Sequence, residues 1–340
     1  MPCLVRPVGS TPSLGDPLVD EYLRFTAARV RANTLTAQAF DLKVFFTVVP
    51  KAPQQVTVTD VLLFIEAQRA PRRGGNVIRL ADGEAGLAAS TIKRRLATVS
   101  SLFDYLFLRG ICDRNPVPRS LGARHARPDG RGHGGRRGAP LVRAPRKLPR
   151  VLAPAEVGAL TGALRTDRDR AMVALMVHGG LRRCEVLGLR FEHVQVGDRR
   201  VFVADGKGGH QRLVPVADIF FTNLASYLSR ERPAEAVDDH VFVVLKGPNR
   251  GRPLTAAGLD EVMAGARGRA GLSHASCHEL RHTCFTRLRE AGMALEAIQA
   301  QAGHASIETT RVYLHLSNDW LAGEYQRAMA ILDGLHEEEQ

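Results

Sequence analysis

Several polar residues in the second half of the chain suit chemistry on a phosphate group. Arg182 and Glu185 stand three residues apart at the start of one predicted helix, and His278 and Arg281 have the same spacing at the start of another. Residues three apart share a helix face, and helix N-termini present N–H groups that favour anions. Each guanidinium donates paired hydrogen bonds to an oxyanion. The spacing therefore predicts that Arg182 and Arg281 converge on one anion.

Three further residues add reactive groups to this set. Lys207 lies in a Gly-rich turn, "GKGG", from which it could deliver a proton, although an ordinary turn lysine would look the same. His304 precedes a predicted helix, and Tyr313 follows nine residues later. A phenol can act as a covalent nucleophile, but a lone tyrosine is commonly a half-buried core residue. The pattern GxxxxGK[ST] is absent, so nucleotide binding is not expected.

A metal site is an alternative use of the histidines. His274, His278 and His282 are spaced at four-residue intervals, as in a three-histidine metal face. His274 is predicted to precede the helix, and no carboxylate is placed as the base of a hydrolase. We therefore expect no metal and no other cofactor, with His282 in a local hydrogen bond or packed.

The first half of the chain is predicted to be all-helical. Helical patterns cover about 17–49, a stretch capped by Thr59 or Asp60, and a third stretch capped by Ser90 or Thr91, with a loop at 71–89. The apolar face of the last helix comprises Ile92, Leu96, Val99, Leu102, Phe103 and Leu106.

Residues 119–150 have a different composition. Nine arginines and one lysine stand against a single acid, Asp129, among many Gly and Pro residues. The segment predicts a flexible basic linker without a core, and such a strip gains affinity for phosphates by releasing counterions. The basic residues predicted to contact DNA are Lys93, Arg94, Arg95, Arg136, Arg137, Arg143, Arg146 and Lys147.

The remainder is predicted to be helical with a small sheet. One helix ends at Gly179–Gly180, two strands flank Lys207, "HVFVV" reads as a third strand, and Ser276 with Glu279 has capping-box spacing. The fold class is therefore mainly α with a small antiparallel sheet. The predicted domains are a tail at 1–15, a helical unit at 16–118, the linker at 119–150 and a second domain at 151–335.

Charge and cysteine content narrow the class of protein. The net charge of +12 and the pI of about 10.1 favour a polyanion partner, most often nucleic acid. Five cysteines without a CxxC motif predict reduced thiols. No signal peptide or membrane-spanning run is apparent, so we expect a soluble, cytoplasmic protein with no membrane partner.

Four motifs together resemble the tyrosine recombinases, also called the phage integrase family. They are "GGLRRCEVLGL", "GKGGHQRLVPV", "HELRHTCFTRL" and "AGHASIETTRVYLH", in that order. The resemblance covers about 155–320, and more loosely the first half as a helical core-binding domain that binds DNA. Arg183 and Cys184 replace residues that are more often apolar and Ser in the family.

The resemblance implies a role for each candidate. Arg182 and Arg281 would be the catalytic arginines, Glu185 the supporting acid, Lys207 the general acid, His278 and His304 the active-site histidines, and Tyr313 the nucleophile. It implies an active DNA strand-transferase that needs neither metal nor ATP, in which Arg182, Arg281 and the histidines supply positive charge. It also implies double-stranded DNA with specific sites as partner and a homo-tetramer at synapsis, and it allows for accessory DNA-bending proteins.

Other functions remain open from the sequence. A type IB topoisomerase shares this chemistry, and a DNA-binding regulator would have lost it. Among recombinases, the loop at 71–89 and the long linker favour integration or transposition of a mobile element. Xer-type resolution of chromosome dimers is the alternative.

Overall fold

A computed structural model describes residues 4, 11–70, 86–118, 141–143, 150–204, 206, 211–236, 238–303 and 310. The chain divides into two compact units, Met1–Arg146 and Lys147–Gln340. None of the helices within the described residues combines the length and apolarity that crossing a bilayer requires.

Four helices build the described part of the first unit. They are α1 (Pro17–Ala27), α2 (Ala32–Val48), α3 (Val58–Arg69) and α4 (Ala89–Leu108). The apolar face predicted for α4 is buried, and it packs in a core with the fully buried rings of Phe45, Phe64 and Phe103. The all-helical prediction for this unit is therefore confirmed over the described residues.

The predicted helix caps in this unit were wrong by two or three residues. Thr57, rather than Thr59 or Asp60, caps α3, and the side chain of Asp60 accepts a hydrogen bond from the Thr57 backbone N–H in return. Helix α4 starts directly after Ala88, so Ser90 and Thr91 already lie within its first turn. At the start of α3 the sequence offers several polar candidates, whereas α4 begins after Ala88 without any side-chain cap, so the polar residues that suggested a cap lie inside the helix.

The predicted linker contains a residue that belongs to the first core. Val142 is 5% exposed and packs with the first unit, which differs from the expectation of a segment without buried residues. Residues 119–140 and 144–149 lie outside the described residues. The domain boundaries themselves stay a prediction.

The second unit is mainly helical with a small antiparallel sheet, as predicted. Its helices are α5 (Pro154–Gly162), α6 (Asp167–Val177), α7 (Arg183–Leu187), α8 (Asp218–Arg230), α9 (Ala256–Arg269), α10 (Cys277–Glu290) and α11 (Leu295–Ala302). The strands are β1 (Val194–Gln195), β2 (Arg200–Val203) and β3 (Arg212–Pro215), ordered β1-β2-β3. Val201 pairs with Val214, and both are fully buried. Helix α6 is central, since it packs on α8 and α10 and residues 171–177 are all buried.

The segment "HVFVV" is not a strand of this sheet, which corrects the prediction. His240 and Val243 form isolated bridges, with Arg190 and Pro253 respectively. The Val241 N–H donates to the Leu189 carbonyl and the Val244 N–H to the Arg252 carbonyl, each at 2.9 Å. Because the segment bonds to two different neighbours in turn, no continuous ladder forms.

Candidate active site

A buried carboxylate at the start of α7 organises the site. Glu185 is three residues after Arg182, the residue that precedes α7, and its side chain is 0% exposed. The Arg182 backbone N–H donates to Glu185 Oε2 at 2.8 Å, and Arg182 Nη1 donates to Glu185 Oε1 at 2.7 Å. A carboxylate at this position satisfies a helix N–H that has no partner within the helix. The local helix start therefore fixes Glu185, and Glu185 holds the head of Arg182.

Arg281 reaches the same carboxylate from α10. Ser276 caps this helix, accepting from the Glu279 N–H, and Arg281 lies one turn inside with 4% exposure. Its Nη1 is 3.9 Å from Glu185 Oε2 and donates to the carbonyl of Gly180. Its guanidinium also lies 4.8 Å from the centroid of the Phe285 ring, a cation–π contact. The structure thus brings Arg182 and Arg281 together around one anion.

A third arginine, which sequence reasoning missed, completes this cluster. Arg212 in β3 donates from Nη1 to Glu185 Oε1 at 3.0 Å and from Nη2 to Oε2 at 2.9 Å. Arg212 and Val214 are two residues apart, so they share the buried face of β3. That spacing was the signal in the sequence. We call Glu185 with Arg182, Arg212 and Arg281 the arginine cluster.

The arginine cluster also contacts the C-terminal end of α11. The carbonyl oxygens of Gln301, Ala302 and Gly303 accept, in order, from Arg212 Nε at 2.8 Å, Arg281 Nη2 at 2.6 Å and Arg182 Nη2 at 3.4 Å. The C-terminus of a helix carries partial negative charge, which cations stabilise. The cluster therefore fixes the backbone that leads into residue 304.

Two histidines one turn apart on α10 face one another. His278 Nε2 and His282 Nε2 are 2.8 Å apart, so a single proton lies between these two atoms. Burial and then Arg281 lower the pKa of His278. Burial, with His278 and Arg281 adding to it, lowers the pKa of His282 to about 4. Both rings are therefore neutral at neutral pH, and the positive charge here comes from the arginines rather than from His278.

The three-histidine metal face does not form as the spacing suggested. His274 Nδ1 lies 3.4 Å from Glu279 Oε1, whereas His278 and His282 contact each other. The local hydrogen bond expected for His282 is present, and its partner is His278.

Three of the predicted catalytic residues, Lys207, His304 and Tyr313, lie outside the described residues. Lys207 falls between the described ends of β2 and β3, and His304 directly follows Gly303. Their roles, like those of the arginine cluster, stay predictions.

The predicted DNA contacts of the first unit divide into two groups. Lys93 is exposed, and Arg94 keeps 51% of its side chain exposed while it pairs with Asp41. Arg95 is 7% exposed and donates to the Gln68 side chain, with its Nε 3.7 Å from Asp41 Oδ1. The burial of Arg95 does not fit the predicted DNA contact, because its guanidinium bonds to side chains inside the first unit.

Arg143 is the one predicted DNA contact in the linker that lies within the described residues, and it is exposed. The others lie outside them: Arg136, Arg137, Arg146 and Lys147.

Comparison with known proteins places this chain in a family. The model of the phage integrase family matches residues 150–319. Tyrosine recombinase XerC of Serratia marcescens is 28% identical over 322 residues, covering 93% of this chain and 95% of that protein. The XerC of Yersinia pestis is 31% identical over 249 residues, covering 72% and 74%.

A solved structure agrees in fold. The Tn1549 transposon integrase, solved with transposon right end DNA, superposes with a TM-score of 0.67 at 18% identity, covering 92% of this chain and 98% of that one. At this identity the likeness shows the fold. The matched family model and the XerC relatives establish that the chain belongs to the phage integrase family of tyrosine recombinases.

Proposed function

We propose that this chain is a site-specific recombinase that cuts and rejoins duplex DNA through a 3′-phosphotyrosyl intermediate. The observation that carries the proposal is the convergence of Arg182 and Arg281 on Glu185, from helices about a hundred residues apart in sequence. Two guanidinium groups held this close form a preorganised site for one phosphate.

In the proposed reaction, the Tyr313 oxygen attacks the phosphorus in line with the 5′-oxygen. The phenol loses its proton to water as the new O–P bond forms and the bond to the 5′-oxygen breaks, and Lys207 gives its own proton to that oxygen. The 5′-hydroxyl of another strand then attacks the phosphotyrosine and returns a proton to Lys207, which restores a phosphodiester and releases the tyrosine, protonated again from water. One phosphoester replaces another at each step, so no ATP is required.

The roles of the arginines and histidines follow from their charge states. Arg182 and Arg281 balance the negative charge that grows on the non-bridging oxygens, and removing one such donor typically costs about 10²–10³ in rate. His278 supplies a hydrogen bond to the same phosphate, with His304 as its predicted counterpart. Because side-chain cations carry the charge, we propose that the reaction is independent of metal ions.

We propose double-stranded DNA with specific sites as the substrate. The net charge of +12 supports a polyanion, and the basic segment at 119–150 would add contacts to phosphates. Related recombinases have been solved with DNA, among them XerH bound to a palindromic difH substrate and a lambda integrase dimer bound to a core site. A homo-tetramer at synapsis, with or without accessory DNA-bending proteins, remains part of this proposal.

The biological role we propose is Xer-type resolution of chromosome dimers. The relatives named XerC, one of which aligns along 93% of this chain, support this role over the mobile-element integration favoured by the sequence. The basic segment at 119–150 keeps integration or transposition as the second candidate. Recombination between two directly repeated chromosomal sites, against recombination at the ends of an element, separates the two.

The test is a DNA substrate whose cleaved strand loses its 5′-hydroxyl fragment, so that the covalent adduct accumulates. Wild-type protein should form a denaturation-resistant protein–DNA adduct, and Tyr313→Phe should bind the site without forming it. Tyr227→Phe is the matched control, because the Tyr227 hydroxyl bonds to the Val241 carbonyl and is buried in the core. Equal loss of binding and cleavage in Tyr313→Phe would contradict the nucleophile. Relaxation of supercoiled DNA without exchange between two sites would indicate a topoisomerase instead.

A further inference from the structure

Arg212 has the contacts of a residue that holds others in place. Its side chain is 8% exposed, and all three guanidinium nitrogens donate within the protein, two to Glu185 and one to the Gln301 carbonyl. Unlike Arg182 and Arg281, it pairs with both oxygens of Glu185, so its two terminal nitrogens face a protein carboxylate rather than a substrate. Arg212 therefore acts through its neighbours.

The elements that Arg212 connects are those that carry the reactive residues. It is the first residue of β3, five positions after Lys207 in the sequence, and it contacts Glu185, which holds Arg182. It also lies against Gly303, where an added Cβ would be 3.0 Å from Arg212 Nη1. Gly303 has a φ of +60° and directly precedes His304. The Arg212 side chain thus connects the start of β3 to the start of α7, through Glu185, and to the C-terminal end of α11, through the Gln301 carbonyl.

Arg212 also changes the electrostatic balance of the arginine cluster. Burial raises the pKa of Glu185, but the hydrogen bonds from Arg212 and the Arg182 backbone outweigh burial and bring it below its ordinary value. Glu185 is therefore an anion beside Arg182 and Arg281, the two cations proposed to bind the phosphate. With Arg212 paired to both of its oxygens, Glu185 offsets less of the charge on Arg182 and Arg281.

We propose that Arg212 is a positioning residue for the cleavage step: its paired bonds to Glu185 orient Arg182 and preserve the positive charge that Arg182 and Arg281 present to the scissile phosphate. This inference rests on the proposed function, because it assumes DNA cleavage at this site.

The experiment compares two substrates at saturating DNA. One carries the ordinary scissile phosphodiester, and the other a methylphosphonate, in which a methyl group replaces one charged oxygen. Arg212→Met should slow single-turnover cleavage of the phosphodiester by about 10²-fold, the size of effect that slight misplacement of reacting groups produces. The dissociation constant for DNA should stay unchanged. On the methylphosphonate, which needs less positive charge, the deficit should shrink at least tenfold.

Matched variants make the result decisive. Arg212→Lys keeps the charge but not the paired geometry, so it should also cleave the phosphodiester at least about tenfold more slowly than wild type; it replaces Arg212→Met if that variant does not fold. Arg190→Met, which removes an arginine with 41% of its side chain exposed and paired with Asp239, should match wild type. An equal deficit on both substrates, or full activity in Arg212→Lys, would overturn the inference. Absence of any adduct with wild-type protein would instead overturn the proposed function.

Discussion

Replacing Glu185 by Gln tests the arginine cluster most directly. The change keeps the size of the side chain and removes the one carboxylate shared by Arg182, Arg212 and Arg281. Breaking a buried ion pair by removing one partner costs about 3–5 kcal/mol, and the 20% exposure of the Arg182 side chain favours the lower end, about 3 kcal/mol. For a unit in the range of about 150–250 residues, each kcal/mol lowers the melting temperature by about 2–4 °C. We therefore expect a decrease on the order of 10 °C.

Thermal unfolding followed by circular dichroism measures this effect, with Glu156→Gln as the control. Glu156 accepts the N-cap backbone N–H of α5 at 2.7 Å, as Glu185 does in α7, but it is only half-buried and forms no ion pair within the described residues. The control should lower the melting temperature by no more than about 4 °C, the loss of roughly one hydrogen bond. Equal shifts for the two variants would refute the view that Glu185 acts as a counter-charge.

The pH dependence of the stability difference between wild type and Glu185→Gln provides a second check. The pKa of Glu185 is lower in the folded protein than its ordinary value of 4.5. Its stabilising contribution is therefore fully present above pH 4.5 and is lost as the pH falls through the folded pKa. The gap between wild type and Glu185→Gln should be constant near neutral pH and should narrow below pH 4.5. A gap that widens in acid would contradict this sign.

Three further predictions concern other parts of the chain. Neutralising the arginines of 119–150 should weaken DNA binding similarly across sequences and flatten the dependence of log K on log salt; an unchanged slope in binding titrations would remove this segment from the interface. Gly303→Ala should destabilise the protein more than Gly271→Ala. Both glycines have positive φ, which costs about 1–2 kcal/mol when alanine replaces glycine, but only at Gly303 would the new Cβ also meet Arg212. Equal losses of unfolding free energy in the two variants would contradict this. Wild-type protein should lose stability as the pH falls from 6.5 to about 4, because the lowered pKa of His282 means that the unfolded state binds a proton at this residue before the folded state does. His282→Asn should lose less stability over the same range. Identical pH–stability curves for the two proteins would contradict this.

The pairing of Arg182 with Glu185 could be anticipated from sequence, because it depends only on three-residue spacing at one helix start. The approach of Arg281 to Glu185 could not be derived from local spacing, because it depends on how α7 and α10 are placed by the rest of the fold. The strand assignment of "HVFVV" failed for a similar reason. An apolar β-branched run favours extended backbone, but whether it joins a sheet depends on neighbours distant in sequence.

Arg95 and Arg212 show a shared cause of error. The sequence analysis predicts Arg95 to contact DNA and assigns no role to Arg212, yet both residues fall on the apolar face of their element. Arg95 follows Ile92 by three residues on α4, and Arg212 precedes Val214 by two on β3. A basic residue in phase with buried positions predicts an internal partner, here Asp41 and Glu185 respectively.

Because one carboxylate serves three guanidinium groups, the effects of replacing any two members of the arginine cluster will not add. Once Glu185 is gone, removing Arg212 deletes a cation that already lacks its anion, so the second loss harms less than the first. The double variant should therefore lose less stability than the sum of the two single losses. Such epistasis means that evolution, or an engineer who alters the specificity of this enzyme, must treat these four positions as one inherited unit.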